Sequence, residues 1–189
     1  MTPWTALPAS CVAAMAAVLA AGQVHAQEIT EVTWSPMREV VFHSSKFPSS
    51  GTEADRQILR SIWARELTST RKSADGQPLP AFALVGDVQR GGRKVVFSMF
   101  SAAGTDRCED PENGAQVSDI YSVCSLRVTP WPMQGRQVAD LPGYCMIFGT
   151  QRDKSRIEYA FDAGESLLRL RAIQYGKVVP ACSRSLRLG

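Results

Sequence analysis

The sequence predicts an α+β domain: an antiparallel β-meander of six or seven strands with one amphipathic helix packed on a face, held by two disulfides. Three observations carry this. Lys154 to Tyr175 reads as a β-hairpin whose arms alternate apolar and charged residues in step. Ala81–Gln89 and Arg93–Ser101 read as a second hairpin around Gly91-Gly92. Between Ser50 and Thr70, apolar residues recur at helical spacing.

Residues 1–26 have the pattern of an export signal. Cys11 to Ala21 is an uninterrupted run of small and apolar residues, and Val24-His25-Ala26 before Gln27 is a small-x-small cleavage site. The run is shorter than the roughly 20 apolar residues a membrane-spanning helix needs. No Lys or Arg precedes it, which departs from the usual pattern. Cys11 is no lipoprotein cysteine, because the apolar stretch follows it. The expected mature chain, residues 27–189, is a single globular domain, periplasmic or secreted.

Four cysteines remain beyond the signal: Cys108, Cys124, Cys145 and Cys182. An even number behind an export signal argues for two disulfides, with three possible connectivities. The pairing expected here is Cys108–Cys124, closing a short acidic loop onto the next strand, and Cys145–Cys182, tying the terminal segment to the strand before the last hairpin. None is spaced Cys-x-x-Cys, so neither a redox motif nor a zinc knuckle is indicated.

Arg38–His43 is expected as a first short strand. The helix follows to about Thr70, with Ser50 and Glu53 at capping-box spacing. Ile58, Leu59, Ile62, Trp63 and Leu67 make its apolar stripe. Arg71–Pro80 is polar and carries Asp75-Gly76, so it reads as a loop. In the hairpin that follows, the glycine turn places Val88 opposite Val95, Gly86 opposite Phe97 and Leu84 opposite Met99. Both faces are apolar, as in a central pair covered on each side. Ala102–Asp119 is a long acidic loop. Tyr121–Thr129 is a strand ended by Pro130-Trp131-Pro132, and Gly143–Thr150 is another.

In the last hairpin a four-residue loop, Asp162 to Glu165, would set Tyr159 against Leu168, Ile157 against Leu170 and Glu158 against Arg169. Lys177–Cys182 would close the chain as an edge segment, given Pro180.

Net charge is +3. From Arg152 onward there are eight basic residues against four acids. Such a surface attracts acidic partners or anionic polymers. Nucleic acid is not an expected partner of an exported domain, membrane contact is expected only through the signal, and the oligomeric state is left open.

Little chemistry is visible. Without His25, His43 is the one histidine, and no Gly-x-Ser-x-Gly elbow offers a nucleophile. Asp110-Pro111-Glu112-Asn113-Gly114 lacks the spacing of a calcium loop, so no metal or other cofactor is expected. The acids Asp106, Glu109, Asp110 and Glu112 are the only candidates for a paired-carboxylate hydrolase. The expected function is therefore a non-catalytic binding module acting on a protein partner in the cell envelope. Arg156, Arg169, Arg171 and Tyr175 would lie on one hairpin face, with Trp131 a second candidate, since Arg and aromatic residues are enriched at interfaces. A cell-wall or glycan hydrolase using the loop carboxylates, and an adaptor for an anionic envelope surface, are the alternatives.

Overall fold

A computed structural model describes residues 32–42, 50–110, 121–133, 139–148 and 154–189. The expected signal, His43, Glu112 and Asp119 lie outside the described residues. The described chain is mostly antiparallel sheet, with two short helices and two disulfides. The α+β expectation therefore holds only loosely, and the strand segments number ten, not six or seven.

The central sheet contains β2 (Arg38–Phe42), β3 (Ala81–Arg90), β4 (Arg93–Ala102) and β6 (Tyr121–Trp131) in that order, with β5 (Cys108–Glu109) and β7 (Ala139–Ile147) both pairing β6. The outer sheet has the order β1 (Ser35–Pro36), β8 (Arg156–Asp162), β9 (Leu167–Gln174), β10 (Lys177–Arg187). Only Met37 separates β1 from β2, so the chain steps from one sheet to the other there.

Both faces of the central sheet are buried, because β3 and β4 are apolar on each side. Leu84, Phe97, Met99 and Leu126 pack toward Ile157, Leu168, Leu170 and Ala172 of the outer sheet. Val40, Ala83, Val85, Val96 and Phe100 pack on the other side against Ile58, Leu59, Ile62 and Trp63. The β3–β4 register is the one the glycine turn dictates, with Gly86 opposite Phe97.

Six expectations need correction. The helix is two segments, α1 (Glu53–Ile62) and α2 (Ala64–Ser69), broken where Trp63 leaves helical geometry at φ −111° and ψ 25°. Its cap is Thr52, whose side chain accepts from the Asp55 amide at 3.0 Å. Ser50 Oγ instead accepts from the Val41 amide.

Strand β6 continues through Pro130 to Trp131, pairing with β4 after its contact with β7 has ended. A proline is tolerated there, since among the described residues that flank has no ladder. Strand β7 begins at Ala139, well before Gly143. A bulge opposite Ser125 absorbs Pro142 and Gly143, with Gly143 at φ +86°.

The β8–β9 hairpin is offset by two residues. Asp162 pairs with Leu167, so the loop is 163–166, and Glu158 faces Arg171 rather than Arg169. The faces are unchanged, because a shift of two preserves alternation. Finally, β10 runs on to Arg187, with a break in register between Val179 and Arg184.

Both expected disulfides are present. Cys108–Cys124 joins β5 to β6, and Cys145–Cys182 joins β7 of the central sheet to β10 of the outer one. Two disulfides fit an oxidising environment outside the cytosol. Among the described residues no helix is long and apolar enough to cross a membrane.

Candidate functional site

The outer face of β8 and β9 carries Arg156, Glu158, Arg169 and Arg171 on alternate positions, as the register requires. Glu158 is buried, and a buried carboxylate must be paired. Arg156 Nε donates to Oε1 at 2.7 Å and Arg171 Nε donates to Oε2 at 2.8 Å. The Arg171 guanidinium also lies 3.9 Å from the centroid of the Trp34 ring, just ahead of β1. Arg156 and Arg171 together neutralise Glu158, and Arg171 also holds the segment that leads into β1. Arg169 is freer, opposite Ala160 and 3.8 Å from Glu165.

Tyr175 sits beyond the end of β9, not within that face. Tyr175 and Gly176 form the two-residue turn between β9 and β10, both at positive φ (50° and 78°). That is the backbone of a primed hairpin turn, which carries the tyrosine outward. Its amide donates to Ser155 Oγ at 3.0 Å and the Gly176 amide donates to the Lys154 carbonyl, so the turn is fixed from below. Tyr175 is 51% exposed, and Val178, three residues on, is 46% exposed. Between them stands Lys177. Trp131 is elsewhere, half-buried in the helix-side core of the central sheet.

Strand β10 ends the outer sheet, and among the described residues no strand pairs with its far edge. Its eleven residues include Lys177, Arg184 and Arg187 and no acid. The turn and this edge form one continuous surface with an aromatic ring, an exposed valine, cations and unpaired backbone groups. An open strand edge flanked by cations is chemically suited to pairing with an extended acidic segment. Val178 is the residue the sequence did not single out. Its exposure follows from the edge position of β10, which alternation alone does not reveal.

A second charged cluster lies under the helices, and the sequence carried no sign of it. Arg127 on β6 donates to Glu66 on α2, to Asp140 on β7 and to the Ile62 carbonyl. Arg107 donates to the same two carboxylates. Burial works to raise the Glu66 carboxyl, but the Arg127 hydrogen bonds and the charges of Arg127 and Arg107 outweigh it and hold it below the ordinary range. The Arg127 hydrogen bond holds Asp140 low as well, against burial. Every carboxylate in this cluster has a cation as its partner, which describes a latch rather than an acid–base pair.

Asp106, Glu109 and Asp110 are all exposed on the loop around β5. Among the described residues no group of three or more His, Cys, Asp or Glu side chains could hold a metal ion. Comparison of the chain with protein-family models, with curated proteins and with solved structures finds no match in any of the three.

Proposed function

We propose that this chain is an exported, periplasmic or secreted, non-catalytic binding module that acts on a protein partner. It docks through the β9–β10 turn and the outer edge of β10. The observation that carries the reading is the exposure of Tyr175 and Val178 on either side of Lys177, at the start of an edge strand without acids. The partner contributes an extended, acidic segment that pairs with the β10 backbone and meets Lys177 and Arg184. Aromatic anchors bordered by cations supply most of the affinity in such interfaces, and main-chain pairing supplies register. The two disulfides support placement outside the cytosol.

The test is cross-linking from a photoreactive residue at position 178 of the oxidised chain in envelope extract, compared with Tyr175→Ala and Lys177→Glu versions of the same probe. The reading expects one protein cross-linked through an acidic segment, with the yield lost in both variants at an unchanged melting temperature. An equal yield from the variants, or a cross-link from position 178 to no protein at all, would sink it.

A further inference from the structure

The two sheets do not close on each other completely at the end marked by the β3–β4 turn. A cavity of about 380 Å³ remains there. Its floor continues the core between the sheets: Val95 on β4, Val128 and Pro130 on β6, Leu141 on β7, and Leu186 and Leu188 at the end of the chain. Its rim carries Arg90 and Arg93 on either side of the glycine turn, with Arg187 across from them.

No Asp or Glu lines the cavity among the described residues. Arg90 donates to Ser166 Oγ and to a carboxylate oxygen of Gly189, the last residue of the chain. Arg187 donates to the Glu165 main-chain carbonyl at 3.3 Å, a neutral acceptor. Arg38, Arg127 and Arg171, by contrast, pair with carboxylate side chains. A guanidinium presents a planar fork that matches an oxyanion. Arg93 and Arg187 stand at the rim over an apolar floor, and neither forms an ion pair among the described residues.

We infer that this cavity binds a single-chain amphiphile, with its hydrocarbon chain between the sheets and an anionic oxyacid head against Arg93 and Arg187. The volume lies near the lower end of the range for small-molecule sites, roughly 300–1,000 Å³. That suits one acyl chain and is small for a two-chain lipid. The apolar floor supplies affinity in proportion to the hydrocarbon area it covers, and the rim selects the sign of the head. The site is on the opposite end of β10 from the Tyr175 turn, so it stands independently of the protein-docking surface.

The test is calorimetric titration of the oxidised full chain with decanoate, decyl phosphate and decylamine, each kept below its micelle-forming concentration. At least one of the two anions binds saturably at one per chain, and decylamine binds at least about tenfold more weakly, as the loss of a charge-assisted contact implies. The exposed-rim variant R93E/R187E loses about tenfold or more in affinity for the anion at an unchanged melting temperature. Val128→Phe, which fills the floor, weakens binding of the same anion. Decylamine binding as tightly as decanoate would overturn the proposal. So would unchanged anion binding in R93E/R187E, which would place the amphiphile on some other apolar segment. Saturable binding of neither anion would overturn it also.

Discussion

The guanidinium of Arg127 lies 3.8 Å from the centroid of the Trp63 ring, on a tryptophan that has no exposed surface. The indole also stacks against Phe100, 5.2 Å away, and its Nε1 donates to Ser98 Oγ at 3.0 Å. Trp63 is the residue at which the two helices part, so the break between them is filled by a ring clamped to the central sheet. A buried cation and an aromatic face attract more strongly here than at a surface, because water does not compete.

Removing Arg127 should therefore be costly. Arg127→Ala leaves Glu66 and Asp140 without their main counter-charge, and breaking a buried pair in this way typically costs about 3–5 kcal/mol. The expected outcome is a fall of that order in the free energy of unfolding by urea. Arg107→Ala, whose side chain is more exposed, should cost clearly less. Equal losses would show that the cluster is not centred on Arg127.

That cluster and the Arg38–Asp55 pair together set an acid limit. Glu66, Asp140 and Asp55 all have carboxyls held below their ordinary values of 4.5, 3.8 and 3.8 in the fold. For Asp55, burial works upward, and hydrogen bonds from Arg38 and Thr52 pull it down further than burial raises it. A depressed carboxyl contributes stability that is complete above its unfolded value and is lost as pH falls through its folded one. Thermal midpoints should be flat near neutrality and drop once pH passes below about 4.5. Glu66→Gln should lower the midpoint at neutral pH and make the acid limb shallower.

The two disulfides should not be equivalent. Cys145–Cys182 spans 37 residues of sequence and Cys108–Cys124 spans 16. On loop-closure grounds they are worth about 4 and about 3 kcal/mol respectively. The longer one also joins the two sheets. Replacing Cys145 and Cys182 by serine should lower the melting temperature more than replacing Cys108 and Cys124, as read by calorimetry on the two double variants.

Gly86 should not accept a methyl group. A Cβ there would stand 2.3 Å from Phe97, whose ring is fully buried and meets Tyr159 edge-on at 4.9 Å. Gly86→Ala is expected to cost about 1–3 kcal/mol through overpacking. Phe97→Leu in the same chain should return part of that loss. Additive losses in the double variant would mean that the clash is relieved elsewhere.

What the sequence made legible was local. The Gly91-Gly92 turn fixes its hairpin because two residues leave no choice of register, and every pairing expected there is present. The last hairpin was offset by two because alternation fits either loop. What decides it is Asp162 Oδ1 accepting from the Glu165 amide and Ser166 adopting φ +52°, neither visible in a polarity pattern. Gly143 looked like a strand start and Pro130 like a strand end, yet a bulge and a free flank accommodate them. The helix break at Trp63 was hidden because the apolar stripe runs on unbroken to Leu67. The candidate surfaces were the least legible. Tyr175 stood out by type, whereas Val178 and the rim of Arg90, Arg93 and Arg187 depend on which strand lies at an edge and where two sheets part.

The Cys145–Cys182 bond encloses more than a loop. All of β8 and β9, and the first half of β10, lie between its two cysteines. Of the outer sheet, β1 and the second half of β10 lie outside this covalent ring. A single cut in the exposed turn at residues 163–166 would consequently sever the backbone without releasing either piece. The nicked protein should migrate as an intact chain until a reductant is added and then fall into two fragments. In a protease-rich surrounding, that turns backbone scission at this turn from a cause of loss into a tolerable wound.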